Sequence, residues 1–172
     1  MKKLCSNTIS EEYGNKILVA YFSATGTTKK LAEYIADVLG ADLYDILPED
    51  PYTSADLDYN DSKSKTTKEM NDQSRRPKIT GTVKNMRQYN IVFIAYPIWW
   101  GEAPRIISTF MESYDFSKKT IIPICTSGGS GIGSSAKNLH SLCSKDAKWL
   151  DGDRLNSNSS RSDIVDWINV LA

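Results

Sequence analysis

Short, uninterrupted runs of apolar residues are the feature that most constrains the fold of this chain. Residues 16–22 (KILVAYF), 91–96 (IVFIAY) and 120–125 (TIIPIC) are rich in β-branched and aromatic side chains. Continuous runs of this length are typical of β-strands that are covered on both faces. Residues 41–47 form a weaker candidate strand. Pro123 weakens the third run, because proline cannot donate a hydrogen bond to a neighbouring strand.

Segments with helical spacing of apolar residues lie between and after these runs. They cover residues 27–39, 105–114, 134–143 and 163–171. Gly40 stands where the first helix should end, and Pro104 stands at or near the first turn of the second. Ser162 or Asp163 is the expected cap of the last helix.

Alternating strands and helices predict an α/β domain, a parallel sheet doubly wound by helices on both faces in three layers. We expect one domain over residues 16–172, preceded by a tail at 1–15. Ligands of such sheets bind outside the carboxyl ends of the strands, so the residues after each strand carry the function.

One polar segment, at about residues 48–81, interrupts the alternation of strands and helices. It mixes both signs of charge and has few large apolar side chains. A segment of that length is either a solvated insertion or a structure that covers a site, and the sequence leaves both open. If it covers a site, Tyr52 and Tyr59 are the residues that we expect to face the pocket.

The composition excludes several classes of function. The 172 residues carry 21 basic and 21 acidic side chains, so no overall charge attracts nucleic acid or an anionic membrane. Three cysteines without a C-x-x-C pair favour neither a zinc site nor a disulfide framework. No apolar run approaches the length of a membrane span, so we expect a cytoplasmic protein. The alternative is a truncated lipid-attachment site at Leu4-Cys5-Ser6.

The first candidate site follows the first strand, where Ser23-Ala24-Thr25-Gly26-Thr27-Thr28 opens a helix. Hydroxyls and free backbone N–H groups at a helix N-terminus suit a phosphate group. The pattern lacks the lysine and the paired glycines of a Walker motif, which argues against a nucleotide triphosphatase. The alternative is an ordinary helix cap rich in hydroxyl groups.

The second candidate site is Pro97-Ile98-Trp99-Trp100-Gly101, which follows the run at residues 91–96. Adjacent tryptophans at this edge of the sheet predict a flat aromatic ligand, unless both side chains pack in the core. The third site is Thr126-Ser127-Gly128-Gly129, which continues into two further glycines. Its glycines allow backbone groups to approach a ligand closely.

These three loops together resemble the flavodoxin superfamily, in particular bacterial proteins with a Y-P-I-W-W-G-x-A-P loop and a T-S-G-G-S-G loop. The resemblance covers residues 16–145 and implies a five-stranded sheet of order 2-1-3-4-5 with FMN across its carboxyl edge. It implies that residues 23–28 hold the phosphate, residues 97–101 flank the isoalloxazine ring and residues 126–129 contact its pyrimidine edge.

The resemblance leaves three functions open. The first is an electron carrier that serves a redox partner protein. The second is a reductase that takes electrons from reduced nicotinamide and passes them to a small quinone, nitro or azo acceptor. The third is a module that has lost its flavin. The neutral charge and the long segment at 48–81 depart from typical carriers. No acid, base, nucleophile or metal ligand is expected, and we expect Gly101 to let its peptide turn over beside the flavin.

Overall fold

The computed structural model describes residues 16–156 and 158–171. The predicted tail at 1–15, with its Leu4-Cys5-Ser6 sequence, lies outside the described residues. The elements in chain order are β1 (Lys16–Tyr21), α1 (Thr27–Leu39), β2 (Asp42–Asp45), β3 (Leu47–Pro48), α2 (Lys65–Met70), β4 (Ile79–Thr80), β5 (Tyr89–Pro97), α3 (Arg105–Ser113), β6 (Thr120–Thr126), β7 (Lys148–Trp149), β8 (Asp153–Arg154) and α4 (Arg161–Leu171). Short 3₁₀ helices span Met86–Gln88 and Lys137–Leu142. Within the described chain, every helix is too short or too polar to cross a bilayer.

The central sheet is parallel throughout and has the order β2-β1-β5-β6-β7, with β8 also beside β6. Counting β7 and β8 as two halves of one strand gives the expected order 2-1-3-4-5. This confirms the prediction of a doubly wound flavodoxin-like sheet. The sequence did not locate its fifth strand.

Two apolar cores cover the two faces of this sheet, which makes the three layers. Adjacent residues of β5 point to opposite sides, so Val92 lies in one core and Phe93 in the other. Helix α3 packs on the face of Val92 through residues such as Phe110. Helices α1 and α4 pack on the face of Phe93 through residues such as Ile35 and Ile164.

Helices α1, α3 and α4 agree with the sequence except at their ends. Helix α1 has the predicted bounds, and Gly40 ends it with a left-handed φ of 62°. Helix α3 ends at Ser113, one residue early, with Pro104 as its N-cap. The predicted helix at 134–143 is only the short 3₁₀ helix at Lys137–Leu142.

The predicted cap of the last helix is wrong. Helix α4 begins at Arg161, and Ser160 precedes it as the capping residue. The Ser160 hydroxyl accepts a hydrogen bond from the Asp163 N–H at 3.1 Å. The Asp163 carboxylate accepts one from the Ser160 N–H at 3.0 Å. This reciprocal pair is a capping box, so Asp163 acts as its third helical residue and not as the cap.

Pro123 explains why the fifth strand is broken. The carbonyls of Ile121 and Cys125 accept hydrogen bonds from Leu150 and Leu155 of the fifth strand, both at 3.0 Å. Alternate residues of a strand face the same neighbour, so Pro123 also faces the fifth strand, where it has no N–H to donate. The strand is interrupted opposite Pro123, between β7 and β8.

Gly152 occupies the interruption because a side chain does not fit there. A Cβ atom at this position would lie 2.1 Å from the Pro123 carbonyl oxygen and 2.6 Å from its Cγ. We therefore expect Gly152→Ala to destabilise the fold by about 1–3 kcal/mol, the usual effect of overpacking. The measurement is chemical denaturation. Gly131→Ala is the control, since its Cβ would meet nothing within 4 Å. Equal stabilities of the two variants would contradict the explanation.

Candidate functional site

A cavity with a volume of about 620 Å³ lies at the carboxyl edge of the sheet. That volume lies within the range of sites that hold cofactors and drug-sized ligands. The cavity is lined by residues of four segments: Ala24, Thr25, Thr27, Thr28, Leu57, Tyr59, Thr66, Pro97, Ile98, Trp99, Trp100, Thr126, Ser127 and Gly128. All three loops predicted from the sequence therefore meet at one site.

The first loop reaches the cavity through four of its six residues, whereas Ser23 and Gly26 shape the loop. The Ser23 hydroxyl accepts a hydrogen bond from the Gly26 N–H at 3.0 Å. Gly26 is the N-cap of α1 with a left-handed φ of 94°, which L side chains rarely adopt. Thr28 is buried, and its hydroxyl lies 2.8 Å from that of Thr126 at the end of β6.

The start of α1 is suited to an anion. The helix has no side-chain cap and no acidic residue in its first turn. Its first N–H groups therefore have no capping acceptor, and the positive end of the helix dipole is not neutralised. This is the chemistry that the sequence predicts for a phosphate group.

The second loop is a tight two-residue turn between Trp99 and Glu102. The N–H of each of these residues donates to the carbonyl of the other, at 2.9 and 3.0 Å. The two central residues, Trp100 and Gly101, have φ values of 50° and 76°. Positive φ at both positions defines a type I′ turn. A positive φ is sterically unfavourable for a bulky residue such as Trp100. The two hydrogen bonds between Trp99 and Glu102 maintain this backbone conformation.

The two tryptophans have different environments. Trp99 is half-buried and packs edge-on against Phe22 and Tyr52, with ring centroids 5.5 and 5.4 Å apart. Trp100 is 46% exposed and lies at the rim of the cavity. Trp99 is therefore mainly a packing residue that presents one side to the cavity, and Trp100 has a free face for a flat ligand. Gly101 does not line the cavity.

The type I′ turn disfavours the peptide rotation expected at Gly101. Turning over the peptide between Trp100 and Gly101 converts a type I′ turn into type II′. A type II′ turn requires glycine at its first central position, because the backbone there is accessible to almost no other residue. Trp100 occupies that position, so the turn is held in one form.

The third loop contributes Thr126, Ser127 and Gly128 to the cavity, but not Gly129. The Gly129 N–H donates to the Ser127 hydroxyl at 3.2 Å. The Gly129 carbonyl accepts a hydrogen bond from the Arg154 guanidinium at 3.1 Å. Arg154 thus fixes the loop from the end of β8. No sequence pattern indicates this role, because the fold alone brings these residues together.

The segment at 48–81 forms one wall of the cavity. Strands β3 and β4 pair antiparallel at its base, and α2 lies within it. Leu57, Tyr59 and Thr66 line the cavity, as the sequence predicts for Tyr59. The expectation for Tyr52 is wrong. It lies under the site, where its hydroxyl donates to the Glu69 carboxylate at 2.6 Å.

Arg105 joins this wall to the tryptophan turn and is only 6% exposed. Its guanidinium donates to the carbonyls of Glu69 and Met70 at the end of α2, at 3.2 and 2.9 Å. It also lies 2.9 Å from the Glu102 carboxylate of the turn. No sequence pattern indicates this role of Arg105, since an arginine in an amphipathic helix is ordinarily expected on the surface.

Among the fourteen described residues that line the cavity, none is a histidine, a cysteine, a lysine or a carboxylate residue. Burial raises the pKa of the Cys125 thiol to about 11, so Cys125 is protonated and unreactive at neutral pH. Cys125 is fully buried in β6, as the sequence predicts for a strand that is covered on both faces. Within residues 16–156 and 158–171, no cluster of histidine, cysteine and carboxylate side chains is placed to hold a metal ion.

A family model described as flavodoxin matches residues 16–171. The chain belongs to the flavodoxin family. A comparison with curated protein sequences found no match.

Solved structures include two close relatives within this family. A candidate flavoprotein from Bacteroides eggerthii is 49% identical, with a TM-score of 0.86 over 91% of this chain and 97% of the other. One from Bacteroides uniformis is 42% identical, with a TM-score of 0.85 over 90% and 98%. A Lactobacillus acidophilus flavoprotein, solved in complex with FMN, is 20% identical and shares the fold, with a TM-score of 0.65 over 81% and 93%.

The Tyr52–Glu69 pair under the site should make stability depend on pH. Burial raises the pKa of the Glu69 carboxyl group. The pKa of the Tyr52 hydroxyl is also raised, mainly by burial and secondly by the hydrogen bond to Glu69. When folding raises the pKa of a carboxyl group, the stabilisation that results is fully present at pH values below the pKa of the unfolded state. It is lost as the pH rises through the pKa of the folded state.

Glu69→Gln keeps an acceptor for the Tyr52 hydroxyl without the charge. We therefore expect the Tm of the variant, relative to wild type, to increase as the pH rises above about 4, the ordinary pKa of a glutamate. Thermal unfolding at several pH values measures this. A difference that stays constant or decreases would contradict the assignment.

Proposed function

We propose that this chain binds FMN non-covalently in the cavity and carries electrons through it. One observation supports this most strongly: a helix N-terminus suited to an anion and an exposed aromatic face border the same cavity. FMN has a phosphate at one end and a flat ring system at the other, so its two ends match the two ends of the site.

The residues that line the cavity fit this ligand. Thr25, Thr27 and the first N–H groups of α1 would hold the phosphate. Trp100 would flank the ring, and Ser127 with Gly128 would meet its pyrimidine edge. FMN, when bound, supplies the redox chemistry, whereas the protein sets orientation and access. The FMN complex of the Lactobacillus acidophilus protein supports the assignment through the shared fold.

A second candidate function is the reduction of a small molecule, and the wall of the cavity favours it. An electron carrier needs an exposed flavin edge for its partner protein. Here Leu57 and Tyr59 extend the cavity on the side of the segment at 48–81. A walled pocket leaves room for a small acceptor and limits the approach of a large one. For a quinone, reduced nicotinamide would supply a hydride and solvent a proton, giving the hydroquinone and oxidised nicotinamide.

The held turn also favours transfer of electrons in pairs. A peptide that rotates when the flavin gains a proton would stabilise the state with one added electron. The type I′ turn at Trp100 and Gly101 disfavours that rotation. The site therefore offers no rearrangement of this turn that would favour a single-electron state.

The phosphate assignment predicts a preference for FMN over riboflavin, which lacks the phosphate. Thr27→Ala should weaken FMN binding by about 1–3 kcal/mol, the range for a hydrogen bond to a charged group, and leave riboflavin binding unchanged. Quenching of flavin fluorescence gives both affinities. Equal affinities of the wild-type protein for FMN and riboflavin would refute the phosphate site.

Paired substitutions at Trp100 test whether the turn is held. Trp100→Ala and Trp100→Gly both remove the indole ring, but only glycine allows the type II′ form. We expect the two one-electron potentials of bound FMN to separate further in the glycine variant than in the alanine variant. The expected difference is about 60 mV, which corresponds to a tenfold change for one electron. Spectroelectrochemical titration measures the potentials, and identical values for the pair would refute the idea.

A further inference from the structure

Tyr59 stands at the rim of the cavity with 72% of its surface exposed. A single exposed tyrosine is ordinary on a protein surface. The loop that carries it is not ordinary, because both of its sides are fastened to α2. The Thr66 hydroxyl and N–H donate to the Asp56 carbonyl at 2.8 and 3.1 Å. The Thr67 hydroxyl donates to the Asp61 carbonyl at 2.9 Å.

Hydrogen bonds within the loop fix its tip as well. The Asp58 carboxylate accepts a hydrogen bond from the Asn60 N–H at 2.9 Å, across Tyr59. The Asp58 N–H donates to the Ala55 carbonyl at 3.3 Å. Thr66 and Thr67 are buried. Tyr59 is therefore held on a rigid support.

The same support is connected to the tryptophan turn, a second segment that lines the cavity. Arg105 binds the carbonyls at the end of α2 and the Glu102 carboxylate beside Trp100. The backbone positions of Tyr59 and Trp100 are thus fixed relative to each other through one buried side chain. The structure positions two exposed aromatic side chains around one cavity.

Charge is absent from the residues that line this cavity. All fourteen are apolar, aromatic, hydroxyl-bearing or glycine. The backbone and hydroxyl groups of the first loop suit a phosphate, but no lysine, arginine or carboxylate in the lining would attract an acceptor of either sign. Leu57 and Tyr59 offer an apolar and aromatic surface.

We propose that Tyr59 determines specificity for a neutral, flat aromatic electron acceptor, which stacks on its ring. This inference rests on the proposed function, since the acceptor would share the cavity with FMN. It narrows the acceptor class to uncharged quinone-like molecules.

The test measures binding of 2-methyl-1,4-naphthoquinone to the full, FMN-loaded, oxidised chain, through the change in flavin absorbance. Tyr59→Ala should raise the Kd about fivefold to tenfold, the expected loss for an aromatic pair. Tyr59→Phe keeps the ring and should stay within twofold of wild type. Tyr34→Ala is the matched control, because Tyr34 is also exposed but does not line the cavity. All three variants should bind FMN as wild type does.

Several results would overturn the proposal. A wild-type Kd for Tyr59→Ala would exclude stacking, and an equal loss in Tyr59→Phe would assign the effect to the hydroxyl. If Tyr59→Ala left quinone binding intact but slowed the reduction of cytochrome c, the residue would contact a protein partner instead. Failure of the wild-type chain to bind FMN would refute the proposed function itself. Normal FMN binding with unchanged quinone binding would refute only the role of Tyr59.

Discussion

The buried guanidinium of Arg105 is the interaction on which the arrangement of the site depends. Arginine stays protonated in proteins, so its burial requires acceptors that compensate for lost water. Those acceptors are two carbonyls at the end of α2 and the carboxylate of Glu102. Lysine would not replace it well, because three partners in different directions need the fork geometry of a guanidinium. One side chain thereby joins the segment at 48–81 to the loop that follows β5.

The fold could be predicted from the sequence where burial alone determined it. The strands at β1, β5 and β6 are covered on both faces, so their apolar runs are continuous and easy to recognise. The fifth strand escaped recognition because it is two pairs of residues, neither long enough to show a pattern. Its interruption follows from Pro123, whose effect falls on a neighbouring strand about thirty residues later in the chain. Sequence windows do not detect such effects.

The candidate site, like the fold, could be predicted from the sequence only in the parts that depend on the buried strands. Three of its loops follow parallel strands, whose carboxyl ends must meet at one edge, so their residues could be assigned to one site. The fourth wall comes from a polar segment without periodicity. Its order arises from buried hydroxyls such as Thr66 and Thr67, which bind carbonyls several residues away. Polar composition left both a solvated insertion and a structure that covers the site open, because it does not show that hydroxyls such as those of Thr66 and Thr67 are used internally.

The tryptophan turn, the loop of Tyr59 and the side chain of Arg105 together determine how much of the cavity is ordered before a ligand binds. Trp100 is held on one side by a hydrogen-bonded turn with a backbone conformation that is costly for tryptophan. The loop of Tyr59 is held on the other by a pair of threonines, and Arg105 connects the two supports. The backbone positions of both aromatic residues are therefore set mainly by the fold before a ligand enters. A site whose backbone is preorganised in this way loses less entropy when a ligand binds than a site that must be ordered by the ligand.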